Sequence, residues 1–146
     1  MDLKLFFSGF IQLYYYWETL VIISIFAVVM NSFYALVSKK IFTFFDLRIT
    51  IFTLVFNHLF FIIGFFIYLF NLVLFFLFKE KEYIIDQNND LFFLTPHLIN
   101  LLSTIIITVG WSLHKKSNIN YKKVLRLFVF YFSGLSLLIV KYLDLI

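Results

Sequence analysis

ITIFTLVFNHLFFIIGFFIYLFNLVLFFLF, residues 49–78, runs for 30 positions without an aspartate, glutamate, lysine or arginine. As an α-helix it reaches about 45 Å, more than the ~30 Å hydrocarbon core of a bilayer. Three further apolar stretches, about 12–37, 91–113 and 124–143, also reach the roughly 20 residues a crossing needs. In hydrocarbon each backbone N–H and C=O must be satisfied within its own segment, which predicts helices. Composition agrees: 63% of the residues are apolar, 14% are charged, and the mean hydropathy is +0.99. A soluble domain has roughly 45–50% and about 25%. The short connections 38–48, 79–90 and 114–123 make successive helices antiparallel neighbours. The fold expected is all-α, an integral membrane four-helix up-down bundle forming one domain over 1–146. The second stretch is overlong, so its end at 71–78 tilts or lies at the interface.

Basic residues choose the orientation. The first and third connections with their flanks hold Lys39, Lys40, Arg48, Lys115, Lys116, Lys122, Lys123 and Arg126, against one acid, Asp46. The opposite side holds Lys4, Lys79, Lys81 and Lys141, among seven acids. Eight positive residues against four put the first and third connections in the cytoplasm by the positive-inside rule. Both termini then lie on the outer, non-cytoplasmic side of the membrane, in a multi-pass protein. The first apolar run is too long for the h-region of a cleavable signal peptide, and no A-x-A-like site follows it.

Several chemistries are excluded. Without cysteine there is no disulfide framework, thiolate metal site or cysteine nucleophile, and no metal ligand set is expected. The net charge of +4 is small and dispersed, so no nucleic acid is expected as a partner. There is no G-x-x-x-x-G-K-[ST], G-x-S-x-G or H-E-x-x-H, and four glycines cannot build a phosphate-cradling loop. The 23 Phe beside 2 Ala, and 10 Lys beside 2 Arg, match the codon bias of an AT-rich genome. The phenylalanine runs are therefore lipid-facing filler.

Polar residues inside the stretches recur at helical spacing: Thr50, Thr53, Asn57, Gly64, Tyr68 and Asn71 in the second, and His97, Asn100, Thr104, Thr108 and Trp111 in the third. Trp17, Ser24 and Asn31 do so in the first, and Tyr131, Gly134 and Lys141 in the fourth. Such stripes mark faces turned toward neighbouring helices, where small residues permit close approach and polar groups bond across. Ionisable groups within the membrane point to function. Glu18, His97 and Lys141, with Tyr14, fall in the outer half of the bundle and make a candidate intramembrane polar cluster for proton handling or ligand binding. The competing reading has Lys141 snorkelling, Glu18 in the wet interface, and the aromatics forming an interfacial belt. His58 and His97 are candidate haem ligands, but their depths differ by ~12 Å, too far for two iron–imidazole bonds. His114, beside Lys115 and Lys116, reads as a loop residue.

The segment FYALVSKKIFTFFDLRITIFTLVFNHLFFIIGFFIYLFN, residues 33–71, carries an aromatic before two lysines and a Phe-Thr-x-x-Asp-x-Arg run. A helical His, a Gly and a Tyr follow, namely Lys39, Lys40, Phe42, Thr43, Asp46, Arg48, His58, Gly64 and Tyr68. With His97, Ile107, Thr108, Gly110 and Ser112, this resembles a family of small bacterial four-helix inner-membrane proteins labelled cytochrome-B-like. The resemblance implies a four-helix membrane fold and haem b electron transfer. The family shows a His near the start of its first helix where this chain has Tyr14 or a neighbour, and a Glu where Pro96 stands. Lys141 falls where the family carries Arg.

Three functions remain open. The first is an accessory or scaffold subunit without its own catalysis, whose partners are the lipid bilayer and other membrane subunits. The second is a cytochrome-b-like electron-transfer protein using His97 and a second ligand. The third is a small proton or ion conduit using Glu18, His97 and Lys141.

Overall fold

A computed structural model describes the backbone of residues 3–78 and 90–143, and side chains at 9, 11–70, 72–73 and 97–140. Within them the chain is all-helical: α1 (Leu3–Val37), α2 (Phe44–Phe78), α3 (Asp90–Lys115) and α4 (Asn120–Leu143). All four are long and apolar enough to cross a membrane, as Ile11–Val37, Phe44–Phe70, His97–Lys115 and Asn120–Val140. Only 28–39% of each span is buried inside the bundle, so most of its side-chain surface needs lipid or another apolar partner. The chain is a multi-pass membrane protein.

Three helices begin earlier than apolar character alone suggests, at Leu3 rather than about 12, Phe44 rather than about 49, and Asn120 rather than about 124. For α2 the reason is local bonding, since helix ends follow caps and not hydropathy. At the start of α2, Thr43 and Asp46 form a reciprocal pair. Asp46 Oδ2 accepts from the Thr43 N–H and hydroxyl, both at 2.7 Å, and the Asp46 N–H points back at Thr43 Oγ1 at 3.4 Å. This capping box nucleates the helix five residues before the apolar run. α1 ends in a Schellman arrangement, with Lys40 N–H donating to Ala35 O at 3.1 Å and Lys39 at φ 52°. The connection between α1 and α2 therefore shrinks to six residues, 38–43.

The four helices close a ring in which α1 packs on α2 and α4, and α3 on α2 and α4. α1 and α3 stand on one diagonal, α2 and α4 on the other. Between α1 and α2, Thr53 donates to Ser24 O at 3.2 Å and Asn31 to Asp46 at 2.7 Å. Between α3 and α4, Ser103 donates to Gly134 O at 3.0 Å, and His114 Nδ1 to Lys123 O at 3.2 Å. The α3–α4 seam is the closest approach. A Cβ on Gly110 would meet Phe130 Cβ at 2.3 Å, and one on Gly134 would meet Ile107 Cγ1 at 2.7 Å. Lipid tails are as apolar as the core, so packing and cross-helix bonds at such small residues hold the helices together. Val21, Ile25, Phe60, Ile107, Leu127 and Leu138 fill the centre.

Candidate functional site

Polar side chains gather inside the bundle at two levels, and each level contains a tyrosine that reaches across a diagonal. At the first, Tyr14 on α1 stacks on Phe60 of α2, with ring centroids 4.9 Å apart. Its hydroxyl fits over Gly64, where a Cβ would lie 2.7 Å from the oxygen. That hydroxyl accepts from Asn100 Nδ2 on α3 at 3.1 Å. Asn100 and Asn57 are almost fully buried, at 2% and 1% exposure. Asn57 Nδ2 donates to Thr104 Oγ1 at 3.2 Å, and the Thr104 hydroxyl donates onward to Asn100 O at 2.8 Å. The amide oxygens of both asparagines are buried with no hydrogen-bond partner among the described residues. A buried acceptor left so costs about 1–3 kcal/mol, which makes this layer the expensive part of the interior.

At the second level Tyr131 of α4, fully buried, donates to Thr50 O of α2 at 3.2 Å. It belongs to the same buried cluster as Trp111 and Leu127. The two tyrosines join the pairs of helices that the ring leaves apart.

The lysine-rich end is a built structure rather than a set of loose hairpins. Asp46, 1% exposed, accepts from Asn31, from Thr43 twice, and from Lys40 Nζ at 3.4 Å. Asn120 at the start of α4 holds the other side, accepting from Phe42 N–H at 2.8 Å and donating to Lys40 O at 3.0 Å. His114 belongs to the last turn of α3 and is buried, which corrects the reading of a loop residue. The cause is its surroundings: its ring lies 4.6 Å from Phe42 and stacks on Trp111 at 5.4 Å. Arg126 donates to Leu113 O, satisfying one of the carbonyls the end of α3 leaves open.

The sequence-derived candidates fall as follows. Tyr14 and Glu18 sit one turn apart on the buried face of α1, and Glu18 is 1% exposed. His97 lies one turn before Asn100 on α3, its ring 5.3 Å from that of Tyr68. Tyr14 is level with Asn100, so Glu18, one turn further along α1, and His97, one turn before Asn100 on α3, flank that level on opposite sides, about 10 Å apart along the bundle axis. The side chain of Lys141 lies outside the described residues. His58 lies elsewhere. Its Nδ1–H donates to Leu54 O at 2.7 Å, and its Nε2 is 3.2 Å from Thr108 Oγ1.

His58 is thus level with Thr108, and His97 with Tyr68. Ten residues separate His58 from Tyr68 along α2, about 15 Å of rise. Haem iron bound by two imidazoles needs both within roughly 2 Å of the metal. A haem shared by His58 and His97 does not fit these positions. Sequence reading missed Asp46, Asn120 and His114 as structural centres, while Tyr131 was read as facing a neighbouring helix and does so. The signal available was the T-x-x-D capping pattern, Thr43 to Asp46, directly before an apolar run. Comparison with known proteins returns no family model, no curated relative and no solved structure that matches this chain.

Proposed function

We propose that the chain is an accessory or scaffold subunit of a bacterial inner-membrane assembly, without catalysis of its own. The observation that carries this is the way the interior is used. Inward-facing polar groups bond mainly to one another and to neighbouring backbone, through Tyr14–Asn100, Asn57–Thr104, Ser103–Gly134 and Tyr131–Thr50. Meanwhile broad aromatic faces point outward, where lipid or partner helices would cover them. The arrangement suits a rigid spacer better than a substrate chamber.

The same reading makes the bundle up-down-up-down, with both termini outside and the ends at 38–43 and 116–119 in the cytoplasm. The contact pairs support the first part, because 24 with 53 and 31 with 46, or 103 with 134 and 114 with 123, run in opposite senses. The eight-to-four lysine and arginine bias supports the second. Reporter tags inserted near Phe44, Ile85 and Asn118 test it. The tags at Phe44 and Asn118 are expected to report the cytoplasm and the tag at Ile85 the outside. A shared compartment for all three overturns the topology.

One observation favours a second reading, a proton or ion conduit: the buried carboxyl of Glu18 stands in the same end of the interior as two unpartnered amide oxygens. Glu18→Gln separates the two. A scaffold keeps its stoichiometric partner on purification from native membrane, and ion flux into vesicles is unchanged by the substitution. Loss of flux with the partner retained supports the conduit instead. On the scaffold reading, haem supplementation of the purified protein gives no Soret band, and a band removes that reading.

A further inference from the structure

The lysine-rich end contains a cavity that none of the interior bonding uses. It has a volume of about 270 Å³ and opens between the end of α1 and the start of α4. That is close to the ~300 Å³ lower bound of ordinary small-molecule sites. Its floor is apolar, made by Ala35, Leu36 and Val124, and its rim carries Lys39, Lys40, Asn120 and Tyr121. The rim is held in place by bonds already described, since Asn120 grips the Lys40 carbonyl and the Phe42 N–H.

The two lysines are not equivalent. Lys40 is turned toward Asp46 in the one ion pair among the described residues, at 3.4 Å. Lys39 takes the left-handed conformation of the α1 terminus, is exposed, and has no carboxylate partner among the described residues. Tyr121 brings a hydroxyl to the same rim. Residues 120–122, in the first turn of α4, contribute backbone N–H groups with no acceptor inside the helix, at the positive end of a 24-residue dipole. The Lys39 ammonium and the Tyr121 hydroxyl can both donate here, and the side-chain oxygen of Asn120 is already taken by the Phe42 N–H. A phosphate monoanion or diester is the complementary ligand.

Position in the membrane selects which phosphate. The cavity sits where the candidate span of α1 ends at Val37 and that of α4 begins at Asn120, and the ends of bilayer-crossing helices meet the headgroups. Below it the apolar floor continues along the α1–α4 seam, where Phe33 meets Phe128 with ring centroids 5.8 Å apart. A ligand with an anionic head at the rim and hydrocarbon running down that seam satisfies both surfaces at once. We propose that this cavity binds the headgroup of an anionic phospholipid. The inference rests on the helices crossing a bilayer, and not on the scaffold role or on which leaflet the cavity faces.

Native mass spectrometry of the detergent-solubilised full chain, titrated with phosphatidylglycerol or phosphatidylcholine, tests it. Lys39→Asn removes the ammonium while keeping a residue that tolerates the left-handed backbone. Phosphatidylglycerol affinity is expected to fall about fivefold in Lys39→Asn, the loss typical of one lysine at an anionic headgroup. Arg48→Gln, on the diagonal helix α2, is expected to leave it within about twofold. Unchanged circular dichroism in both variants keeps the comparison free of folding effects. Equal losses in the two variants, or equal binding of the two lipids by the parent chain, overturn the site. Displacement of phosphatidylglycerol by inorganic phosphate alone also overturns the lipid as occupant and assigns the cavity to free phosphate.

Discussion

Gly110→Ala is expected to destabilise the bundle by about 2–3 kcal/mol, measured as the shift in unfolding when the purified protein in mild detergent is titrated with SDS. The added methyl would lie 2.3 Å from Phe130 Cβ and 2.8 Å from its Cγ. A Cβ is bonded to backbone and cannot swing aside, so relief requires α3 and α4 to separate. Separation would loosen Trp111, Leu127 and Tyr131 together, and would draw Tyr131 away from the Thr50 carbonyl. Two other glycines calibrate the result. Gly64→Ala meets the hydroxyl end of Tyr14, which can rotate away at the expense of its bond from Asn100, so a smaller loss of about 1 kcal/mol is expected. Gly9→Ala meets nothing within 4 Å among the described residues and is expected to be neutral, or to gain up to about 1 kcal/mol from helix propensity. If Gly110→Ala behaves like Gly9→Ala, the close α3–α4 seam described here is wrong.

Removing the Asp46 carboxylate is the other large effect. Asp46→Ala is expected to cost about 3 kcal/mol in the same assay. The magnitude comes from neutral donors rather than from the ion pair. Lys40 is 37% exposed at its side chain, and its contact at 3.4 Å is long, so that pair contributes ~1 kcal/mol or less. The substitution instead strands the Asn31 amide and the Thr43 N–H, both at 2.7 Å from the carboxylate, and dissolves the cap of α2. Two consequences separate these terms. Asp46→Asn keeps one acceptor oxygen and is expected to lose about 1 kcal/mol. Added salt is expected to change the Asp46→Ala difference little, because hydrogen bonds to neutral donors are weakly screened. A loss that vanishes at high salt would show that the Lys40 pair dominates.

Much of this architecture was legible in the chain itself. A run such as 49–78 has no solvent other than lipid, and hydrocarbon leaves the backbone no alternative to the helix. The polar stripes on the second and third helices were equally readable. Thr53, Asn57, Asn100 and Thr104 all turned out to face neighbours, because spacings of three and four place residues on one helical face whatever lies opposite. Helix starts were less legible. Hydropathy marks where a segment enters lipid, whereas Thr43 with Asp46 marks where α2 begins, and the two differ by five residues.

Composition and periodicity therefore determined the number of helices, their membrane-spanning character and their inward faces. Tertiary structure alone decided what those faces meet. Tyr14 reads either as a member of a polar cluster or as part of an aromatic belt until Asn100, 86 positions away, is found at its hydroxyl. His114 reads as a loop residue until Phe42, Trp111 and Lys123 close around it. His58 and His97 already differ in depth on sequence, but only the packing shows what each one meets, Thr108 for His58 and Tyr68 for His97. The physical reason is that helix periodicity is a property of one segment, while a diagonal contact depends on how four rigid rods are rotated and shifted against each other. Such rotations are set by steric details as small as the missing methyl of Gly110.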